Sequence, residues 1–399
     1  MNGIITDVNV QTFTTIGGGK FYKVGWDDLK GPARNLALKI KDSRPITDCG
    51  IAGALLLISD STLTSATPGG LVLSADLLIE AILAKNGNAY CFSAADIKAY
   101  VEAFGVDRVK PWVQNKGASI RDFAVLGDGR RNVDGKKYCG QISILFAAIA
   151  RAVDEGNTGL LQYLFGELEA NPNQRIWAYA RSGDIQAQFE PCYDPKAPCY
   201  PADVPLLYCQ YLASTGASQA RIAPIIRSLM NNNADANLPN IQGRTPYMEA
   251  LRSGQKFVLE ELSVQKPDVT AMAAPNYPAW VLAAEKAGKQ SAGLPRPKPQ
   301  SFIQYVCEAA PLWAVQWMYE KGLIQSPEQK KSASDITRAR LSKALGKLPT
   351  MILDDARLAY FCVTQQFPAG PERASALNAL GKMTAGIRGA LGIVLQKTK

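Results

Sequence analysis

Apolar residues along this chain recur mostly at the three-to-four-residue spacing of an amphipathic helix, with little of the alternation of a half-buried strand. Ser74 precedes residues 75–85, where Leu77, Leu78, Ala81 and Ile82 share one face, and its hydroxyl suits the unpaired amides of a first turn. Ser93 does the same for residues 94–104, with Ile97, Tyr100, Val101 and Phe104 in register. Residues 142–153 and 159–168 are apolar on nearly every side, which predicts buried helices at the centre of a lobe. Further helices are expected over 206–214, 221–231 and 302–321. A basic helix is expected to open at Ser334, with Asp335 in its first turn.

The two ends differ from this pattern. Val8 to Val24 alternates strand-forming residues about Gly17-Gly18-Gly19, which predicts a hairpin or an extended arm. Lys20 after the glycines invites comparison with a phosphate-binding loop, but the first glycine and the Ser/Thr of that motif are missing. Near the other end, Leu377, Leu380, Ile387, Leu391, Val394 and Leu395 make a weak helix that needs an outside surface. Proline-dense stretches at 191–205 and 294–299 mark loops. The expected fold is mainly α, with two helical lobes, a basic groove between them and an extended arm at each end. The expected bounds are 1–35 for the N-terminal arm, 36–240 and 241–365 for the lobes, and 366–399 for the C-terminal arm.

With 47% apolar and 20% charged residues over 399 positions, the chain has the balance of a globular protein long enough for two buried cores. It contains no histidine, which removes Ser-His-Asp and Cys-His nucleophilic centres and every histidine-bearing zinc site. Asp354-Asp355 resembles a magnesium pair, but it lies in an apolar helical stretch where Arg357 can neutralise Asp354. Glu260-Glu261 reads the same way. No catalytic residue, metal ligand or cofactor is expected, and the chain is read as a binding protein, not an enzyme.

None of the eight cysteines forms a Cys-x-x-Cys pair and most sit in apolar runs, so buried free thiols are expected. Pairing of Cys192 with Cys199 across the proline-rich loop is the alternative. The N-terminus lacks a signal-peptide pattern, and no apolar run is long enough to span a bilayer. A reducing, intracellular setting without membrane insertion follows as the expectation.

The segment from Asn233-Ala-Asp-Ala-Asn237 through Gly243-Arg-Thr-Pro-Tyr247 to Ala250-Leu251 and Gly254 resembles an ankyrin repeat. Thr245 suits a cap, Pro246 the first helical position, and Ala250 and Leu251 the packed face. A second copy is expected at 277–288, its proline roughly 33 residues on, with poorer echoes at 204–208 and 147–173. Residues 1–130 show no such repeat. The resemblance implies a scaffold for protein–protein interaction.

Other motifs point elsewhere. Asp48-Cys49-Gly50-Ile51 and Tyr138-Cys139-Gly140-Gln141-Ile142 each place Cys-Gly before an apolar run, and Tyr277-Pro278-Ala279-Trp280 leads to Gly288 through small residues. Together with the length and two-lobed layout, these resemble the nucleoproteins of nonsegmented negative-strand RNA viruses. The Ala-Met-Gly ending of that family's segment is absent. The resemblance implies a viral nucleocapsid protein, in virion and host cytoplasm, that coats single-stranded RNA without sequence preference. It would assemble with itself into a helical filament through its arms and meet polymerase-associated proteins.

The formal net charge of +9 favours an anionic partner, with a merely soluble basic surface as the plain alternative. Phosphates bind cations spaced along a groove, and aromatic faces add base stacking. Residues 108–137 combine both, with Arg121, Arg130, Arg131, Lys136 and Lys137 as candidates beside Trp112 and Phe123. Arg175 and Arg181 flank Trp177 and Tyr179 and share a face if that segment is extended; on a helix the four scatter. Arg221, Arg227 and Arg244 stand near the expected lobe junction, and Arg338 and Arg340 lie in the basic cluster with Lys330, Lys331, Lys343 and Lys347. Charge runs of this kind are otherwise solvated helix faces.

Overall fold

A computed structural model describes residues 10–14, 20–42, 57–58, 70–114, 143–174, 204–214, 216–240, 242–274, 298–344 and 349–391. The protein is mainly helical, with 15 helices and eight short strands among these residues. It divides into two compact units, Met1–Asp235 and Ala236–Lys399.

In the first unit, β1 (Val10–Thr14) and β2 (Lys20–Gly25) form the antiparallel hairpin read from the alternation, with Val10 opposite Val24. The hairpin is not a free arm. β2 also pairs with β4 (Gly70–Leu73), which pairs with β3 (Leu57–Ile58), giving the order β1-β2-β4-β3. Tyr22, Val24, Leu71 and Leu73 are buried, so the apolar half of the alternation holds the hairpin to the sheet. Helix α1 (Gly31–Asp42) begins inside the stretch assigned to the arm and packs on α3 (Ala94–Phe104).

Ser74 and Ser93 cap as their positions predict. Ser74 accepts from the Leu77 amide at the start of α2 (Ala75–Leu83), and Ser93 forms a reciprocal capping box with Asp96 at the start of α3. A two-stranded turn, β5 (Lys85–Asn86) with β6 (Ala89–Tyr90), joins α2 to α3, and α4 (Val106–Val113) follows. At the centre lies α5 (Ile144–Glu155), buried on nearly every side as its composition requires. Then come α6 (Gly159–Gly166), α7 (Pro205–Ser214) and α8 (Gln219–Asn231).

The pairs α5–α6 and α7–α8 are helical hairpins that pack on one another. The second unit opens with a third, α9 (Pro246–Ser253) and α10 (Lys256–Leu262). The first helix of each ends the same way: Asn157, Ala217 and Gln255 donate backbone N–H to Ala152, Leu212 and Ala250 at 3.2, 3.1 and 2.9 Å. That six-residue closure needs a left-handed residue at the turn, and Gly254 supplies it at φ 69°. Thr245 caps α9 through the Met248 amide and Pro246 takes the first position, as the repeat-like sequence predicts.

After α10 come β7 (Met272–Ala273) and β8 (Gln300–Ser301), paired antiparallel. The expected helix over 302–321 is instead two: α11 (Phe302–Cys307) and α12 (Leu312–Glu320). Pro311 caps the second; it has no amide hydrogen to continue the first. The basic helix α13 (Pro327–Ala344) starts earlier than expected. Its cap is Ser326, which accepts from the Gln329 amide at 3.2 Å while Gln329 Oε1 accepts from Ser326 at 3.1 Å. Ser334 is buried in mid-helix. Two helices complete the unit, α14 (Pro349–Gln366) and α15 (Pro371–Leu391). Leu380 of α15 is buried with Leu341, Ala344, Ala356, Ala359 and Val363, so the expected arm finds its surface, over this part, on its own chain.

Cys209, Cys307 and Cys362 are free and buried. Burial pushes the Cys362 thiol up to about 12 and raises the other two as well, so all three stay protonated. Cys91 is disulfide-bonded, which corrects the expectation of free thiols throughout. It also removes the support that cysteine usage lent to a reducing setting. No helix among the described residues is long and apolar enough to cross a membrane.

Candidate functional site

Of the cations expected to meet RNA, Arg121, Arg130, Arg131, Lys136, Lys137, Arg175 and Arg181 lie outside the described residues. So do the second repeat-like copy at 277–288 and Lys347. The remaining five fall in different units and are engaged within the protein. Arg221 donates to the carbonyls of Val153 and Asp154, at 3.4 and 2.8 Å, in the last turn of α5. Arg340 pairs with Asp355 at 2.7 Å and donates to the carbonyl of Ala310 at 2.6 Å. Arg338 is held by Asp335 on its own helix. Arg244 lies 5.8 Å from the centre of the Tyr305 ring. Arg227, exposed on α8, is not without a partner.

Several of the arginine contacts, that of Arg221 among them, follow one rule. The last carbonyls of a helix have no partner inside it and carry the negative end of its dipole, so a guanidinium is well placed there. Arg108 donates to the carbonyl of Phe104, the last residue of α3, at 2.9 Å. Arg252 reaches the carbonyl of Tyr305 in the last turn of α11, and Arg373 that of Thr364 near the end of α14. Arg151 is the most deeply placed, 2% exposed, donating to Phe92 and Ile82 carbonyls at 2.7 and 3.3 Å and to Glu155 at 2.9 Å. Lys110 is bound to Glu169 at 2.6 Å. Among the described residues, these arginines and Lys110 thus serve helix ends and internal ion pairs.

What the structure does bring together is a recurrent clamp. In the first unit, the Asn173 side-chain amide donates to the carbonyl of Asn233 at 2.9 Å and accepts from the Asp235 amide at 2.6 Å. In the second unit, the Asn237 side chain donates to Lys266 at 2.8 Å and accepts from Asp268 at 2.8 Å. Each asparagine grips one carbonyl and, two residues on, one amide. Each clamp follows a second helix of a hairpin, and Glu169 and Asn233, at φ 53° and 67°, stand at matching places just before Ala170 and Ala234, both buried. Replacing Asn173 or Asn237 with alanine should cost about 1–2 kcal/mol apiece, two exchanged hydrogen bonds, as measured by urea unfolding. Loss at one site with none at the other would show that the two turns are not equivalent.

In the same unit, half-buried polar groups gather around the buried Tyr305 on α9, α11 and the β7–β8 ribbon. Tyr305 donates to Glu249 at 2.7 Å, Arg252 stands 4.3 Å over the Tyr305 ring and 3.6 Å from Glu308, and Gln300 also reaches Glu308. Burial, with the Glu249 charge next, raises the Tyr305 hydroxyl, which stays a donor. The ribbon presses close: Ala274 donates to the Gln242 carbonyl at 2.7 Å, and a Cβ on Gly243 would stand 2.0 Å from the Met272 carbonyl oxygen. Met272 itself is 50% exposed. An apolar tip beside fixed donors and acceptors on rigid elements suits recognition of another protein.

Among the described residues, no group of three His, Cys, Asp or Glu is placed to hold a metal. Asp354 pairs with Arg357 at 3.8 Å, as its spacing predicts, and Asp355 with Arg340. Compared with known proteins, the chain matches no family model and no curated protein.

Proposed function

We propose that this protein is an interaction scaffold built of helical hairpins, binding a protein partner through the turn-and-ribbon surface of its second unit. The observation that carries this reading is the repeated clamp of Asn173 and Asn237, with its shared geometry in the two units. Repeats that grip one another from side chain to backbone present rigid surfaces for recognition, not reactive pockets. The alternative, a nucleocapsid protein coating single-stranded RNA, draws on the net charge of +9. It is weakened by the engagement of Arg221, Arg338 and Arg340 with carbonyls and carboxylates of their own chain.

Purified full-length protein should carry no nucleic acid, with a protein-like absorbance spectrum before and after nuclease treatment. Negative-stain images should contain neither rings nor helices. Copurifying RNA, together with an affinity that falls steeply as salt rises, would instead establish the coat-protein reading.

A further inference from the structure

The four-stranded sheet of the first unit has two unequal edges. One is β3, a strand of two residues, too short to template another chain. The other is β1, five residues long and paired, among the described strands, with β2 alone. Proteins blunt such an edge with a charge, a proline, a glycine bulge or a covering element. The sequence of β1, Val10-Gln-Thr-Phe-Thr14, carries no charge, proline or glycine, and Gln11 and Thr12 are exposed. Among the described residues, its outward row of backbone donors and acceptors has no strand partner.

We propose that this edge docks a second copy of the chain, β1 against β1, antiparallel about a two-fold axis through Thr12. A two-fold contact presents one patch to itself, and antiparallel pairing is the only strand arrangement that such an axis permits. With Thr12 on the axis, Thr12 faces Thr12 of the second copy, Val10 faces Thr14 and Gln11 faces Phe13. The whole strand is used in that register, and no like charges meet. A protein edge of foreign sequence would fit the backbone equally, but only the second copy is guaranteed this neutral match along all five positions. The contact is small, so the dimer forms weakly and with concentration. It does not depend on the scaffold reading.

The test uses full-length protein. Sedimentation should record a monomer–dimer equilibrium, and Thr12→Lys, which sets two ammonium groups opposite each other, should weaken it by roughly fivefold while circular dichroism is unchanged. Thr12→Cys should give an intermolecular disulfide on mild oxidation, because directly opposed residues lie within bridging distance. Gln11→Cys should give little, since its counterpart lies diagonally, about 7–8 Å away. A strictly monomeric protein, a dimer indifferent to Thr12→Lys, or equal linking at both cysteines would overturn the proposal.

Discussion

Arg340→Ala should lower the stability of the second unit by about 3 kcal/mol or more, the usual result of stripping one partner from a buried ion pair. The substitution leaves the Asp355 carboxylate, its side chain 10% exposed, without its cation. It also leaves the carbonyls of Cys307, the last residue of α11, and of Ala310, just beyond it, without the donor that α13 supplies. Three elements come together at this one guanidinium, because α13 carries the arginine, α14 the acid and α11 the carbonyls. Lysine should restore only part of the loss; a single ammonium lacks the planar fork that reaches carboxylate and carbonyl at once. Denaturant unfolding followed by circular dichroism measures this. An unchanged midpoint, with nucleic-acid binding lost in its place, would return Arg340 to an RNA site.

Arg151→Ala should be at least as costly to the first unit, about 3–5 kcal/mol. Its side chain is almost wholly enclosed, and it joins the end of α2, the segment before α3 and the interior of α5. The guanidinium also lies 4.3 Å from the centre of the Tyr90 ring, which Lys85 meets at 4.5 Å and whose hydroxyl donates to Asp154 at 2.9 Å. Alanine removes the cation, leaves the Phe92 carbonyl unpaired and opens a cavity, three losses that act together. Arg151→Met keeps much of the volume and should recover the packing part alone. Equal stability of wild type and alanine variant in urea would mean that water enters and replaces the arginine.

How much of this was readable beforehand depends on how far apart the partners are in sequence. Ser74, Ser93 and Thr245-Pro246 mark helix starts with groups that act within three residues, and each caps as expected. The β1–β2 hairpin is equally local. The start of α13 was misplaced because Ser326 and Ser334 offer similar local signals, and only the burial of Ser334 decides between them. The Asn173 clamp closes the poorer echo read at 147–173, where Ala170-Asn-Pro-Asn173 matches Ala234-Asp-Ala-Asn237; the hydrogen bonds it makes were not legible there.

The sequence by itself determined a mainly helical chain, its principal capped helices and its lack of imidazole chemistry, since these depend on composition and on neighbours a few residues apart. Only the tertiary structure decided what the arginines do. Arg151 meets a carbonyl 69 residues away, Arg221 one 67 away and Arg340 one 30 away. A guanidinium binds a helix-end carbonyl, a carboxylate or a phosphate with the same donors, so its residue type cannot distinguish them. Which acceptor it meets is set by how the helices pack.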